Sequence, residues 1–462
     1  MPVSSYSPQV EFDIVIVGGA MAGATLALAL CEYNRKNPDK ILRIALVEAK
    51  TVDAAHPGFD ARAIAIADGA IRELKRLGIW QHIQPLGSAI KHIHVSDRGH
   101  FGMTTLDAES LNLAAFGQVV ELASVGKVLM AQLQDYAKQY PHWLTLFCPA
   151  SVASITAHEG HHQLQLTTQE QLNAKLLVAA DGGFSKVRQQ LKQPTEQVDF
   201  NQAAIVANVV TDSAHQGWAY ERFTEHGPIA LLPMADCQGQ QRLSLVWAMP
   251  PNEVESRKAL PKEAFLQQLQ QAFGYRCGRF TDIGQLSSYP LVMSYMPRPI
   301  YHRCVFVGNA AQTLHPIAGQ GFNLGLRDIS TLFDVLTQAR SNQARSNQAR
   351  SNQARSNQVN SNQVNSTQSE RAHATLHQAT TGNVEANHLK EPFDIGAHAL
   401  IHAYYQQRQV DRDRTINHIE CLVRGFSNQY YPLVAGRNIG LRLLSWLPPL
   451  KRPVAEVAMG WR

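Results

Sequence analysis

An α/β fold is predicted for this 462-residue chain: a Rossmann-like nucleotide-binding domain, an inserted antiparallel-sheet domain and a C-terminal helical segment. Three observations carry the prediction. A β-branched run, Phe12–Val17, ends in Gly18-Gly19-Ala20-Met21-Ala22-Gly23 and opens into an Ala/Leu-rich stretch. A second apolar run, Cys304–Val307, enters Gly308-Asn309-Ala310 and reaches another glycine turn at Gly319-Gln320-Gly321. Between them, the alternation of strand and helix patterns gives way to short alternating runs over 199–300.

The first run is the opening unit of a dinucleotide-binding fold: strand, glycine turn, helix, with backbone N–H groups left free at the helix start for a pyrophosphate. The next strand, within 41–48, ends in Glu48, an acid placed to accept hydrogen bonds from an adenosine ribose. Ala20 stands where the middle glycine of G-x-G-x-x-G belongs, and its methyl crowds the approach of the pyrophosphate. Helices are expected over 22–36, 68–77 and 122–139, and an antiparallel meander over 144–178. A buried strand then ends in Asp181-Gly182-Gly183, with a helix expected from Ser185.

The expected domains are 1–198 and 301–338 for the cofactor, and 199–300 for a substrate-binding sheet with a helix near 262–273. The pentad Ser-Asn-Gln-Ala-Arg recurs from Ser341. It has no apolar stripe to offset ordering entropy, so 339–391 is expected to be a disordered insert. Helices are expected over 392–462, where Trp446-Leu447-Pro448-Pro449-Leu450 is conspicuously apolar beside Arg437, Arg442, Lys451 and Arg452. Those helices can cap the main domain, touch a membrane surface peripherally, or both.

Composition excludes several classes. A 45% apolar and 17% charged chain can bury a sizeable core, and a net charge of +5 without a dense basic patch argues against nucleic acid. No run approaches a spanning helix, and the start lacks a signal-peptide pattern. The six cysteines form no C-x-x-C pair, so reduced thiols are expected, with no metal site. The histidines at 92, 94, 158, 161 and 162 lack ligand spacing and are expected to be solvated.

Three ordered segments, Gly18–Gly23 with Glu48, Asp181-Gly182-Gly183-Phe184-Ser185-Lys186-Val187-Arg188, and Gly308–Asp328, resemble the FAD-dependent aromatic hydroxylases. Within that family the chain is similar to the ubiquinone-biosynthesis hydroxylases, through His56–Ala65, His94–His100, Glu221–Pro228, Gly308–Pro316 and Gly436–Leu441. Asn309 replaces the aspartate most members carry and resembles the branch acting on a polyprenylated methoxyphenol.

The resemblance implies FAD as cofactor, NADPH or NADH as co-substrate, O2, and a polyprenylated phenol hydroxylated through a flavin C4a-hydroperoxide. It assigns cofactor binding to Gly18, Gly19, Ala20, Ala22, Gly23, Glu48, Arg62, Asp181, Gly182, Arg188, Gly308, Asn309, Ala310 and Asn323. Pro316 with Gly319, Gln320 and Gly321 would form the flavin edge, the helix-start amides stabilising charge on the reduced ring. His315 fits a structural place better than catalysis. A location on the cytoplasmic face of an inner membrane and membership of a quinone-synthesis complex follow from the same resemblance. A sister hydroxylase, a flavin reductase and a flavin-holding scaffold subunit remain open at this point.

Overall fold

The computed structural model describes residues 10–51, 62–237, 239–316, 319–342, 393–426 and 430–460. The pentad repeats after Asn342, His56–Ala61 and Ile317-Ala318 lie outside the described residues.

The first strand, Val10–Val17, lies inside a parallel sheet between Gln171–Ala179 and Ile44–Val47. Cys304–Phe306 extends the sheet in parallel on one side and Leu144–Phe147 on the other. The strands read as near-continuous apolar runs because both faces are covered: Ile14 and Ile16 pack under helix Met21–Lys36, Val15 and Val17 on the opposite side. The expected meander is therefore split. Leu144–Phe147 joins the parallel sheet, while Val152–Ala157 and His162–Leu166 form antiparallel ribbons leading into Gln171–Ala179.

The second sheet runs in the order Gln312–Thr313, Ser287–Tyr295, Glu196–Thr211, Arg242–Met249, Gly227–Pro233, Trp218–Thr224, His92–Asp97, Met103–Asp107. It is antiparallel except for Trp218–Thr224 against His92–Asp97, which run parallel. One face buries Trp247, Leu245 and Tyr220 under helix Lys262–Phe273, through Phe265, Leu269 and Phe273. Their 4-residue spacing is what makes that helix legible in sequence. The other face turns Phe223 and Met293 toward Ile416, Ile419 and Val423 of the long helix His398–Phe426.

A small third sheet, Ala63–Ala67, Gly117–Glu121 and Gly87–Ile90, bridges the two larger ones. Contrary to expectation, His94 and His162 are buried, at 6% and 0% exposure. Burial depresses both to a pKa of about 4, so each is held neutral.

Candidate functional site

Three turns meet at the C-terminal ends of the parallel strands, where doubly wound folds bind nucleotides. Gly18 adopts φ +103°, and a side chain there would meet the Ala180 carbonyl oxygen at 2.4 Å. A Cβ on Gly23 would fall 1.8 Å from the Gly18 carbonyl oxygen, so this third glycine fixes how tightly the turn closes on the helix. Ala20 is the N-cap of helix Met21–Lys36, with extended backbone and no side-chain cap. The first-turn amides are thus left to a ligand. Gly19 N–H donates to Glu48 Oε2 at 2.6 Å and Lys50 N–H to Oε1 at 2.9 Å, which aims the buried carboxylate across the turn. Beyond Glu48 lies a cavity of about 410 Å³ lined by Thr51, Lys127, Met130, Gln134, Leu146 and Cys148.

The second turn begins at Asp181. Its Oδ2 accepts from Val187 N–H at 3.1 Å, while Oδ1 is buried without a hydrogen-bond partner among the described residues. Burial pushes the carboxyl up, opposed by the Ser185 hydroxyl and the amides of the short helix Lys186–Gln190. Gly182, at φ +84°, has open space where a side chain would stand. Arg188 donates to Gly183 O at 2.6 Å and to Ala310 O at 2.7 Å. Its guanidinium pins the second turn to the third, a positioning task.

The third turn, Gly308-Asn309-Ala310, packs on the first: a Cβ on Gly308 would sit 3.2 Å from the Ala22 methyl. Gly308 and Ala310 are buried, while Asn309 is exposed and its side chain makes no hydrogen bond among the described residues. Under this turn lies a buried network that sequence reasoning missed. Asp328, 1% exposed, accepts from Gly308 N–H at 3.3 Å, Gln312 Nε2 at 2.6 Å and Arg408 Nε at 2.8 Å. Arg412 donates to Gln312 Oε1 at 2.8 Å and to Met296 O at 2.6 Å. Burial alone would lower the Arg408 pKa; the charges of Asp328 and Asp411 overcome it and hold the guanidinium protonated. A signal existed: Arg408 and Arg412 occupy the stripe of Ile401, Tyr404, Ile416 and Ile419, and a cation in an apolar stripe requires a buried partner.

From there the chain passes the predicted flavin-edge residues. His315 is buried, edge-on to Phe200 at 5.4 Å, and burial lowers its pKa to about 4. Pro316 is exposed, and Gly319 N–H donates to its carbonyl at 3.3 Å. Gly319 has φ +62°, a conformation that suits glycine. Gln320 and Gly321 open the helix over 320–342, with open space where a Gly321 side chain would be. Asn323 does not face this space freely: its amide donates to Ala65 O and Gly319 O and accepts from Ala67 N–H at 3.0 Å. Asn323 thereby staples the helix start to the bridging sheet. The Arg62 guanidinium stacks over Tyr289 at 5.0 Å, at the seam with the second sheet.

Glu221 is a further group that sequence reasoning left unassigned. It lies between Ala219 and Phe223 on one face of its strand. Ala219 packs with Ala63 and Ala65, the latter within 3.3 Å of a Gly319 Cβ. Phe223 packs in the cluster that includes Leu314 and Phe200. Glu221 therefore sits on the sheet face that covers the 314–319 turn. Its Oε1 is buried without a partner among the described residues, and burial pushes its pKa up to about 7.

The open glycine turns, the oriented Glu48 carboxylate and the unsatisfied Asp181 oxygen fit an extended dinucleotide. Comparison with known proteins agrees. A family model described as FAD binding domain matches residues 11–367. Ubiquinone hydroxylase UbiL of Rhodospirillum rubrum is 28% identical over 99% of this chain and 92% of its own length. 3-Demethoxyubiquinol 3-hydroxylase of Escherichia coli is 26% identical over 97% of this chain and 98% of its own. Among solved structures, p-nitrophenol 4-monooxygenase PnpA of Pseudomonas putida superposes with a TM-score of 0.69 at 14% identity, covering 98% of this chain and all of that one, a likeness of fold. Fold and site together define an enzyme of the FAD-dependent aromatic-ring monooxygenase class. The chain belongs to the FAD-binding-domain family matched over 11–367.

Proposed function

We propose that the enzyme hydroxylates the ring of a polyprenylated phenol in ubiquinone biosynthesis, converting a 2-polyprenyl-6-methoxyphenol to the 1,4-benzoquinol. The observation that carries the ring chemistry is Glu221, whose Oε1 has no hydrogen-bond partner among the described residues and whose pKa burial raises to about 7, on the sheet face over the 314–319 turn. The two relatives named above support the pathway. FAD held there would supply the oxygen-transfer chemistry, with NADPH or NADH as reductant and O2 as the oxygen source. Gly18, Gly19, Ala20, Ala22 and Gly23 would cradle its pyrophosphate, Glu48 its ribose, and Asp181, Gly182, Gly308, Asn309 and Ala310 the ribitol side. Arg62 would lie at the seam near its ring, while Arg188 and Asn323 hold the turns in register.

The phenol proton passes to Glu221, and the lone pair left on oxygen enriches the ring carbons ortho and para to it. Both ortho positions of the substrate are occupied, by the prenyl and methoxy groups, so oxygen enters para. The Gly319–Gly321 amides, at the positive end of the helix over 320–342, stabilise negative charge gathering opposite the ring. Pro316 presents an apolar edge with no N–H to that space. Buried His315 stays neutral and packs against Phe200, which keeps water from the turn.

A second reading, hydroxylation at another ring position, is favoured by the likeness to 3-demethoxyubiquinol 3-hydroxylase over nearly the whole chain. One experiment separates the two: a quinone-deficient host lacking its own methoxyphenol hydroxylase is complemented with this chain and its intermediates identified by mass. Loss of accumulated prenyl-methoxyphenol supports the para reaction. Persistence of that compound refutes it, and rescue of a 3-hydroxylase-deficient host instead selects the second reading.

A further inference from the structure

No helix of the described residues is long and apolar enough to cross a membrane. The C-terminal pair, Tyr431–Trp446 and Pro448–Ala458, nevertheless carries apolar side chains on the side that faces away from the protein. Its inward side is fixed by specific bonds. Asn438, 1% exposed, donates to Asp97 Oδ2 at 2.8 Å and accepts from Gly102 N–H at 2.7 Å. Arg437 donates to the same Asp97 at 2.9 Å and to the Phe426 carbonyl at 3.1 Å. With Asn438 and Leu441 inward, the rotation of the helix is set.

The opposite side carries Ile439, Leu443 and Trp446 at i, i+4 and i+7, exposed by 52%, 41% and 70%. Leu447, Leu450 and Val454 prolong the stripe into the next helix. A water-facing stripe is ordinarily polar, so this pair is apolar on the side where solubility asks for charge. The charged residues from Tyr431 to Ala458 are Arg437, Arg442, Lys451, Arg452 and a single acid, Glu456, which pairs with Arg452 at 3.0 Å. Exposed leucines, an exposed tryptophan and tyrosine, and a basic balance are the composition of a helix lying in an anionic lipid interface.

The location has a use. A cavity of about 340 Å³ lined by Asp199, Phe200, Val423 and Arg424 lies between His315's packing partner and the C-terminal end of the long helix. Phe426 at that end is the residue that Arg437 holds. The cavity and the Arg437 contact place the C-terminal pair next to Phe200, the packing partner of His315.

We propose that the outward face of Tyr431–Trp446 and Pro448–Ala458 docks on an anionic bilayer surface; its purpose, collecting a membrane-held prenyl substrate, rests on the function proposed above. The test is co-sedimentation of the FAD-loaded, full-length enzyme with phosphatidylcholine vesicles containing or lacking phosphatidylglycerol. The wild type should pellet with anionic vesicles and less so at high salt. Trp446→Ser/Leu450→Ser should lower its partition constant at least tenfold, since each deleted side chain is worth about that factor when buried. Arg442→Glu/Lys451→Glu should lower it on anionic vesicles alone. All four positions are surface sites, and unchanged FAD content and melting verify folding. The proposal is overturned if the wild type stays in the supernatant or both variants pellet as it does. It is also overturned if light scattering shows a dimer that Trp446→Ser/Leu450→Ser dissociates without any vesicle binding, the face then being a contact between copies. Hydroxylation of a tail-less methoxyphenol, assayed on the same samples, fails only if the proposed chemistry is wrong.

Discussion

The most informative perturbation lies beneath the Gly308 turn. Asp328→Leu removes a carboxylate that accepts from Arg408 Nε, Gln312 Nε2 and Gly308 N–H. Both Asp328 and Arg408 side chains are 1% exposed, so the guanidinium cannot turn to water. It keeps Asp411 as a partner but is left with one negative charge fewer in a dry environment. Breaking such a pair costs about 3–5 kcal/mol. For a chain of 462 residues unfolding as one unit, at about 2.1 cal/mol/K of entropy per residue, that lowers the melting temperature by roughly 3–5 °C. FAD affinity should fall as well, since the Gly308 amide and Gln312 lose the acceptor that orients them. The diagnostic variant is Asp328→Leu/Arg408→Met, which removes both charges and should recover most of the loss. Differential scanning calorimetry of the four proteins of the cycle measures the coupling directly. A single variant that melts within a degree of wild type, or a double variant whose losses simply add, would refute the assignment of this pair as a coupled support of the turn.

Gly23→Ala should give protein that folds but retains little FAD, read from the flavin absorbance of the purified enzyme, because its methyl would lie 1.8 Å from the Gly18 carbonyl oxygen. Glu221→Gln should lower turnover on a methoxyphenol by about a hundredfold or more. In a pH–rate profile it should also abolish the rising limb near pH 7, where the wild-type carboxyl titrates; a mutant profile that keeps this limb sinks the role. Acid should destabilise the fold between pH 6.5 and 4. His94, His162 and His315 are neutral when folded, with pKa values of about 4, and take up protons once unfolded. Glu221 works the other way, since its raised pKa releases a proton on unfolding above pH 4.5. Three gained against one lost leaves about two protons, a slope of roughly 3 kcal/mol per pH unit; chemical denaturation at pH 5 and 6 showing no such loss would contradict it.

The parts of the fold legible in sequence are those whose pattern is local. Val10–Val17 with its glycine turn, helix Leu122–Gln139 and helix Lys262–Phe273 each declare themselves through an uninterrupted periodicity. Leu144–Phe147 reads as part of a meander because four residues carry no sign of whether their neighbour is Ile44–Val47, a hundred positions earlier, or the next ribbon. The site divides in the same way. Glycines state a backbone requirement on their own, so the three turns were readable. Arg188 and Asn323 acquire their positioning tasks only from partners across the fold, Glu221 acquires its raised pKa only from burial by distant elements, and a histidine such as His162 gives no local hint that its ring will be fully buried.

The helix over 320–342 ends with Arg340 donating to the carbonyls of Lys40 and Ile41, each at 3.0 Å. The same guanidinium lies 5.3 Å from the ring of Phe393, where the described chain resumes. The pentad tract thus departs from and returns to a single spot on the rim of the parallel sheet. For any flexible loop whose ends are held together, closure entropy grows only as the logarithm of length, so five residues added to about fifty would change stability by about 0.1 kcal/mol.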